Sequence, residues 1–600
     1  MHDATPRYHR PAAAAPCILR QPAGPGKPAT EWRFRAVDDC RLPTRRGSRY
    51  TQTCWRRGRW AAPMRKRAEE IPVRFASPEP QVRLVSAFAR PFDGAVAAAR
   101  TCYSARGIVT AEQVGGDEID DPDKRRQALE RRDALAVDIY RAGHHTVFQH
   151  AHFSFAIDRV SRHALWAFFH AHPFYNSEQV SQRYVRVRSD SFVIPDLPPE
   201  QKSIYIAALE DAQQAYRTLR EQLQPVAAAA FFAVFPARAR QPQAWKKEIE
   251  RRAQEAARYV LPVATWARLY HTISALTLLR YRRIAGQSDV PAEVGRIVES
   301  MVAAVLRWEP AYQKILQPPI EAAAVPPRIF GDADLLGEPR RADAFRRDFD
   351  ADLGDRASRL VGYAADAEGV VARAVREVLG CSHGDLSDQQ ALQLAADPAR
   401  NPVLGETLNL TTLSPLSRCL HHAHYTFRKR LSHSADSQDQ RHRMTPGSRP
   451  ILLAHLGNEP DVAYPSLIAD DPTARAVFDQ AMARTWEAIT RLRRAGTPAQ
   501  ALAYLLPNAV NVRFTESADY LALRHKHAMR LCYNAQEEIW RASRDEALQV
   551  REVHPTLGRF LLPPCSIRDR CHQRPVCPEG KRYCGVRVWT QDVAAYSRRI

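Results

Sequence analysis

No run of eighteen or more apolar residues occurs in this 600-residue chain, so no membrane-spanning helix is expected. The N-terminus lacks an apolar stretch followed by a small-residue cleavage site, and secretion is not expected either. A dense cysteine framework is also missing. Eleven cysteines are scattered, and only the last forty residues gather several of them. That usage fits free thiols in a reducing cytoplasm.

What the chain does have is size and positive charge. The hydrophobic fraction of 45% suffices for burying a core, and the length implies about three or four domain-sized units. The net charge is +21; residues 1–63 hold 13 Lys/Arg and 4 Asp/Glu, a net of +9, which leaves +12 for the remainder. That excess suits anionic ligands such as phosphates, and a generic basic surface explains it too.

Residues 1–63 are rich in Pro, Arg and Ala, lack periodicity and read as disordered. Met64, followed by RKRAEEIPV, reads as the native start, with a basic targeting segment as the alternative. Ordered sequence begins with a strand near VRLVSAF and a helix around GAVAAARTCYS. HTVFQHAHFSFAI alternates like a strand, VSRHALWAFFHAH has helical spacing, and residues 201–310 read as helical with a break at Pro262. The expected organisation is an extension over 1–75, a first domain over 76–314, a linker over 315–350, a second domain over 351–560 and a Cys- and Pro-rich tail over 561–600.

Three anchors suggest that the second domain repeats the first. Arg83-Leu84-Val85 before Cys102 is echoed by Arg359-Leu360-Val361 before Cys381. Ser161-Arg162, a helix and QRY (182–184) are echoed by Ser417-Arg418, a helix and QRH (440–442). YVLPVATWAR (259–268) matches YLLPNAVNVR (504–513) without a gap.

The strings AARTCYS (98–104), QHAHFSF (149–155), VSR (160–162) and SQRYV (181–185), with RLCYNAQEEI (530–539) in the second copy, resemble the flavin-dependent thymidylate synthases. That family's pattern is an Arg-His-Arg triplet followed by S-x-N-E-x-S-x-R-Y, with an R-x-x-x-x-A-Q-x-E-I segment later. The resemblance covers most of 80–310 and 356–556. It implies an α+β fold of two tandem thymidylate-synthase-complementing domains, each a sheet flanked by helices. It further implies transfer of a methylene group from methylenetetrahydrofolate to C5 of dUMP, with FAD as cofactor and NADPH as reductant. The rival expectations are methylation of another pyrimidine nucleotide and a catalytically decayed pair of domains binding nucleotide or nucleic acid.

A site holding several phosphates and a carboxylate needs fixed guanidiniums, because Arg stays charged and grips oxyanions bidentately. The resemblance assigns Ser181, Arg183, Tyr184, Arg258 and Arg530 to dUMP, with Arg530 acting catalytically at the uracil edge. It assigns His150, Arg428, Arg430 and Gln536 to FAD. Arg428-Lys429-Arg430 is taken as the second copy's Arg-His-Arg, His170-Ala171-His172 as the first copy's, and Asp439 as a carboxylate standing in for Ser181. Losses in the two copies look complementary, so one composite site is expected. Asn534 and Glu537 read as an N-cap box, with Arg530 on the turn before that helix. Plainer readings stand beside these: one of His150 and His152 as an ordinary histidine, Arg428–Arg430 as a solvated face, Tyr184 as a packing residue, Arg530 as part of a solvated basic run. The family uses no cysteine nucleophile, so Cys102 and Cys532 are expected to be replaceable. Cys565, Cys571, Cys577 and Cys584 are spaced C-x5-C-x5-C-x6-C, a poor match to zinc sites; free thiols in a Pro-rich cap are expected, with a bound zinc as the alternative. The partners expected are small-molecule substrates and a second copy, as a homodimer mimicking the family's tetramer, with neither membrane nor nucleic acid.

Overall fold

The computed structural model describes residues 73–171, 174–285, 290–316 and 339–598. The expectations for 1–63, Met64, His172 and most of the linker lie outside the described residues.

The fold is α+β. One antiparallel sheet has the order β1–β2–β4–β3, from β1 (Gln81–Ala87), β2 (His152–Ser161), β3 (Asn176–Gln179) and β4 (Trp266–Ser274). The other has the order β5–β6–β7, from β5 (Ser358–Tyr363), β6 (His424–Ser432) and β7 (Asn511–Asp519). Alternation builds the central strands: Phe153, Phe155 and Ile157 of β2 point inward, as do Tyr425, Phe427, Lys429 and Leu431 of β6. The strand expected over 145–157 starts only at His152, because His145–His150 forms a 3-10 turn. β4 lies inside the stretch read as helical, and the expected linker contains a helix, Pro339–Leu353. The tail is packed too, burying Ile567, Val588, Val593 and Tyr596 in the core around the second sheet.

The two halves cross at the segments that match without a gap. Val263 N–H donates to Leu506 C=O and Asn508 N–H to Leu261 C=O, both at 2.8 Å. Ala264 N–H donates to Tyr504 C=O and Ala509 N–H to Tyr259 C=O, both at 2.9 Å. The bridge between Pro262 and Pro507 sits at the centre. Each Pro lacks an N–H and falls where the exchange skips a donor. Around this crossing, Trp166, Val263, Leu431, Trp486, Leu502 and Leu506 join one core shared by both halves.

Each half then ends its central strand in the same way. Ser161 donates from N–H (2.8 Å) and Oγ (2.5 Å) to Glu293 and accepts from Ala164 N–H (2.9 Å). Ser432 donates to Glu538 (2.5 and 2.6 Å) and accepts from Ala435 N–H (3.0 Å). Tyr259 of the first half donates to Glu538 (2.8 Å), and Tyr504 of the second half lies against Glu293. This corrects one anchor: the partner of Ser161-Arg162 is Ser432-His433. Ser417-Arg418 lies on a separate turn, Pro415–Arg418, ahead of β6.

Counting from these serines turns Phe168 into Asp439, and counting from the two prolines turns His271 into Glu516 and Tyr281 into Lys526; through the sheet register Ile157, paired with Leu269, corresponds to Lys429, paired with Phe514. The first set is an aromatic cluster, with Phe168 and Tyr281 rings 4.2 Å apart and His271 bonded to the Tyr281 hydroxyl at 3.1 Å. The second is an ion cluster buried from solvent. Lys429 bonds Asp439 (3.0 Å) and Glu546 (2.9 Å), and Lys526 bonds Asp439 (2.7 Å) and Glu516. Asp439 is therefore held between two lysines and does not stand in for Ser181.

Two outcomes follow from this packing. Lys526→Met removes a cation from between two buried carboxylates and is expected to cost about 3–5 kcal/mol in urea unfolding. Burial raises the Glu293 carboxyl from 4.5 to about 7. The folded state then holds this proton more tightly than the unfolded chain, so the stabilisation is present at low pH and is lost as pH climbs from about 4.5 to 7. Melting temperatures measured from about pH 5 to 8 are expected to fall less for Glu293→Gln than for the natural protein.

Candidate functional site

β3 leads into a tight turn over Ser181–Val185. Ser181 C=O accepts from Tyr184 N–H (3.1 Å) and Val185 N–H (3.0 Å), while its Oγ accepts from Arg183 N–H (3.2 Å). Arg162 opens the helix Arg162–Ala171 and anchors the approach to the turn, donating to Gln179 Oε1 (3.1 Å) and Val180 C=O (2.5 Å). Gln182 is buried and accepts from Asn508 of the second half (3.1 Å). The turn is thereby set against the crossing.

Arg183 spans the halves, donating from Nε to Glu255 (2.8 Å) and from Nη2 to Asn534 C=O (2.9 Å). Arg258 is buried and donates to Gln536 Oε1 (3.2 Å). Gln438 donates to the same oxygen, Gln536 donates to the Tyr259 hydroxyl, and Arg530 Nη2 donates to Gln438 C=O (2.6 Å). Ser181, Arg183, Arg258, Gln536 and Arg530 thus belong to one neighbourhood drawn from both halves. Tyr184 stands at its edge, 56% exposed, with the guanidiniums of Arg183 and Arg251 at 5.7 and 5.6 Å from its ring centre.

The local charge is strongly positive. Burial pushes Arg162 down to about 9, with the Arg258 charge adding to it. Burial pushes Arg530 down to about 10, with Asp439 opposing and Arg441 and Arg183 adding to the shift. All remain cations at neutral pH. Glu255 is held at about 2 against its burial by Arg183 and Arg258. Three buried donors near these groups, Arg162 Nε, Gln182 Nε2 and Arg530 Nε, have no hydrogen-bond partner among the described residues, and neither has His442 Nε2. Orphaned donors beside crowded cations suit an anion that accepts from them.

Arg530 is the last residue of the helix Tyr520–Arg530, and not on a turn preceding the next helix. Gln536 stands at the N-cap position of that next helix, Glu537–Val553, without a side-chain cap, and the Asn534 side chain donates to Arg582 C=O (2.6 Å) instead of capping it.

The FAD assignments divide. Gln536 is at the centre of the network. His150 ends the 3-10 turn, exposed. Arg428 stacks on Phe349 (4.1 Å from its ring centre) and pairs with Asp352, while Arg430 pairs with Asp350 (3.0 Å). Both arginines face the helix Pro339–Leu353, whose carboxylates neutralise them. Nine residues beyond Ser161 stands His170, and nine beyond Ser432 stands Arg441. The second-half counterpart of His170-Ala171-His172 is therefore Arg441-His442-Arg443, a literal Arg-His-Arg that the sequence reading passed over. Arg441 pairs with Glu178 of β3 (2.6 Å), and Arg443 lies 5.0 Å from the Tyr175 ring centre. They line an open cavity of about 370 Å³ with Phe169, Tyr175 and Tyr270. A second cavity of about 670 Å³ adjoins Arg183 and Tyr184, lined by Arg220, Arg238, Trp245 and Lys247 among others.

Comparison with known proteins identifies the family. The family model "Thymidylate synthase complementing protein" matches residues 83–311 and again 359–556. The flavin-dependent thymidylate synthase of Clostridium tetani is 26% identical over 233 residues, 38% of this chain and 84% of that protein. The one from Geobacter sulfurreducens is 31% identical over 170 residues, covering 28% and 70%, and the one from Sulfurisphaera tokodaii 29% over 154, covering 25% and 59%. The solved UMP/dUMP methylase PolB from Streptomyces cacaoi, bound with 5-Br dUMP, is 20% identical with a TM-score of 0.28, covering 39% of this chain and 92% of that one.

The geometry separates two sets of arginines experimentally. Inorganic phosphate is expected to raise the melting temperature of the natural protein and of Arg428→Ala. It is expected to do so much less in Arg183→Ala or Arg530→Ala, each of which loses a charged hydrogen-bond donor worth about 1.5–3 kcal/mol.

Proposed function

This chain belongs to the thymidylate synthase complementing protein family, and we propose that it is a flavin-dependent thymidylate synthase converting dUMP to dTMP. In this reading methylenetetrahydrofolate gives the carbon, FAD is the bound cofactor and NADPH the reductant. One observation carries it: Arg183 and Arg258 from the first half and Arg530 from the second converge at buried donors that lack partners.

The Ser181–Val185 turn and Arg183 would grip the phosphate, the first through a hydroxyl and the second through a bidentate fork fixed by Glu255. Arg258, buried and tied to Gln536, would hold the nucleotide against the crossing. Arg530 would face the pyrimidine edge. Its guanidinium stays charged in a dry setting, so it can stabilise negative charge held on N3 and O4, the charge that makes C5 nucleophilic toward the methylene carbon and that is spent as the new bond forms. The residues that would hold the flavin are Arg441 and Arg443, beside the Tyr175 and Tyr270 rings; bound there, the cofactor is the hydride source. The basic cavity beside Tyr184 has the size and charge for an anionic cosubstrate. Because both halves of one chain supply the arginines, this composite site needs no second copy, and the dimer remains a proposal about assembly alone.

The purified protein is expected to be yellow, to make dTMP from dUMP with the two cosubstrates, and to rescue a thymidine-requiring strain. Arg530→Ala is expected to lose about 10²–10³ in kcat, as when one donor to a developing oxyanion is removed. Arg441→Ala is expected to purify without flavin, and Arg428→Ala to keep it. A yellow protein that neither rescues the strain nor methylates dUMP would move the substrate to another pyrimidine nucleotide. A colourless protein that binds nucleotides without turnover would sink the enzymatic reading.

A further inference from the structure

The tail cysteines do not group as their linear spacing suggests. Cys571 turns away, its Sγ directed at Pro398 C=O (3.3 Å). Its place is taken by Cys532, two residues beyond Arg530. Cys532, Cys565, Cys577 and Cys584 all line one pocket, whose wall is otherwise mostly apolar (Leu531, Pro563, Pro564, Pro578 and Val588) but also includes Asn534 and Glu579. All four are free thiols. Each of the six pairs among them is close enough to interact electrostatically. Cys584 Sγ also donates to Val586 C=O (3.6 Å), yet four cysteines gathered at one hollow need a reason, since isolated thiols gain little from facing each other.

A single tetrahedral ion is a poor reason. Metal–sulfur bonds of about 2.3 Å draw four thiolates to within roughly 4 Å of one another. Among the described residues no three Cys, His, Asp or Glu side chains are gathered in that way. A cubane cluster carries one thiolate on each of its irons and so holds its ligands farther apart around a central volume. We propose that Cys532, Cys565, Cys577 and Cys584 bind a [4Fe–4S] cluster.

The surroundings suit that ligand. The resulting anionic centre sits beside the basic cavity, which Cys584 also lines together with Lys581 and Arg582. The apolar wall limits access of water and oxidants, as cluster sites require. The centre would tie the tail to the turn between Arg530 and Gln536. Asn534 on that turn accepts from Arg183 through its carbonyl and donates to Arg582 C=O in the tail. The cluster thus has a positioning role at the composite site, and Cys532 is not a freely replaceable residue.

The test is metal analysis of the full chain purified without oxygen. It is expected to contain about four iron and four acid-labile sulfide per chain, with a paramagnetic signal after chemical reduction that is distinct from flavin. Cys577→Ser and Cys565→Ser are expected to lose the iron, and Cys571→Ser to keep it. Should the first two fail to fold, alkylation of the native wild-type protein decides the matter: Cys571 is modified, and the four proposed ligands react only after the metal is stripped. One zinc per chain, no metal at all, or iron lost equally from Cys571→Ser would overturn the proposal. None of these readouts depends on turnover.

Discussion

The constraint on which the rest depends is the crossing of two short segments, Tyr259–Val263 and Tyr504–Asn508. Their backbones exchange hydrogen bonds about the Pro262–Pro507 bridge. Each segment carries a tyrosine toward the other half's buried glutamate, and each glutamate holds the serine that ends a central strand. A buried carboxylate is costly unless it accepts several hydrogen bonds. The two serines and the reciprocal tyrosines satisfy that need only when both halves are present. The crossing therefore joins two sheets into one core and fixes where the helices after Ser161 and Ser432 begin.

Everything placed at the composite site hangs from those two helix starts. The helix after Ser161 begins with Arg162, which holds the approach to the Ser181 turn. The helix after Ser432 ends at Gln438 and Asp439, so Gln438 reaches both Gln536 and Arg530. The halves are alike in frame and unlike in filling. Where the first half stacks Phe168, His271 and Tyr281, the second pairs Asp439, Glu516, Lys429 and Lys526. Neither filling tolerates the other half's residues piecemeal, because one imported charge would be left without a counter-ion.

Much of the site was legible in linear sequence. The gapless match of YVLPVATWAR to YLLPNAVNVR marks the crossing, since identical backbone roles ask for the same residues. The losses of arginines from alternate halves pointed to a shared site, and Arg183, Arg258 and Arg530 bond to Asn534, Gln536 and Gln438 of one neighbourhood. Other readings failed for a physical reason. Lys429 occupies an inward slot of β6, where alternation alone expects an apolar residue, so Arg428-Lys429-Arg430 looked like a binding triplet. Asn534 and Glu537 have cap-box spacing, but a tail carbonyl claims the asparagine amide.

The sequence by itself determined the family, the α+β character, the twofold pattern of motifs and the residue types that can grip phosphate, because these rest on local spacing and side-chain chemistry. Only the tertiary structure decided which copy of each motif counts. It paired Arg441 with Glu178 of β3 and set Arg443 by Tyr175, turned Arg428 and Arg430 onto the carboxylates of Asp352 and Asp350, and exchanged Cys571 for Cys532 in the sulfur-lined pocket. Those choices depend on which groups a long-range fold brings within hydrogen-bond distance, and no local pattern encodes a distance between residues hundreds of positions apart.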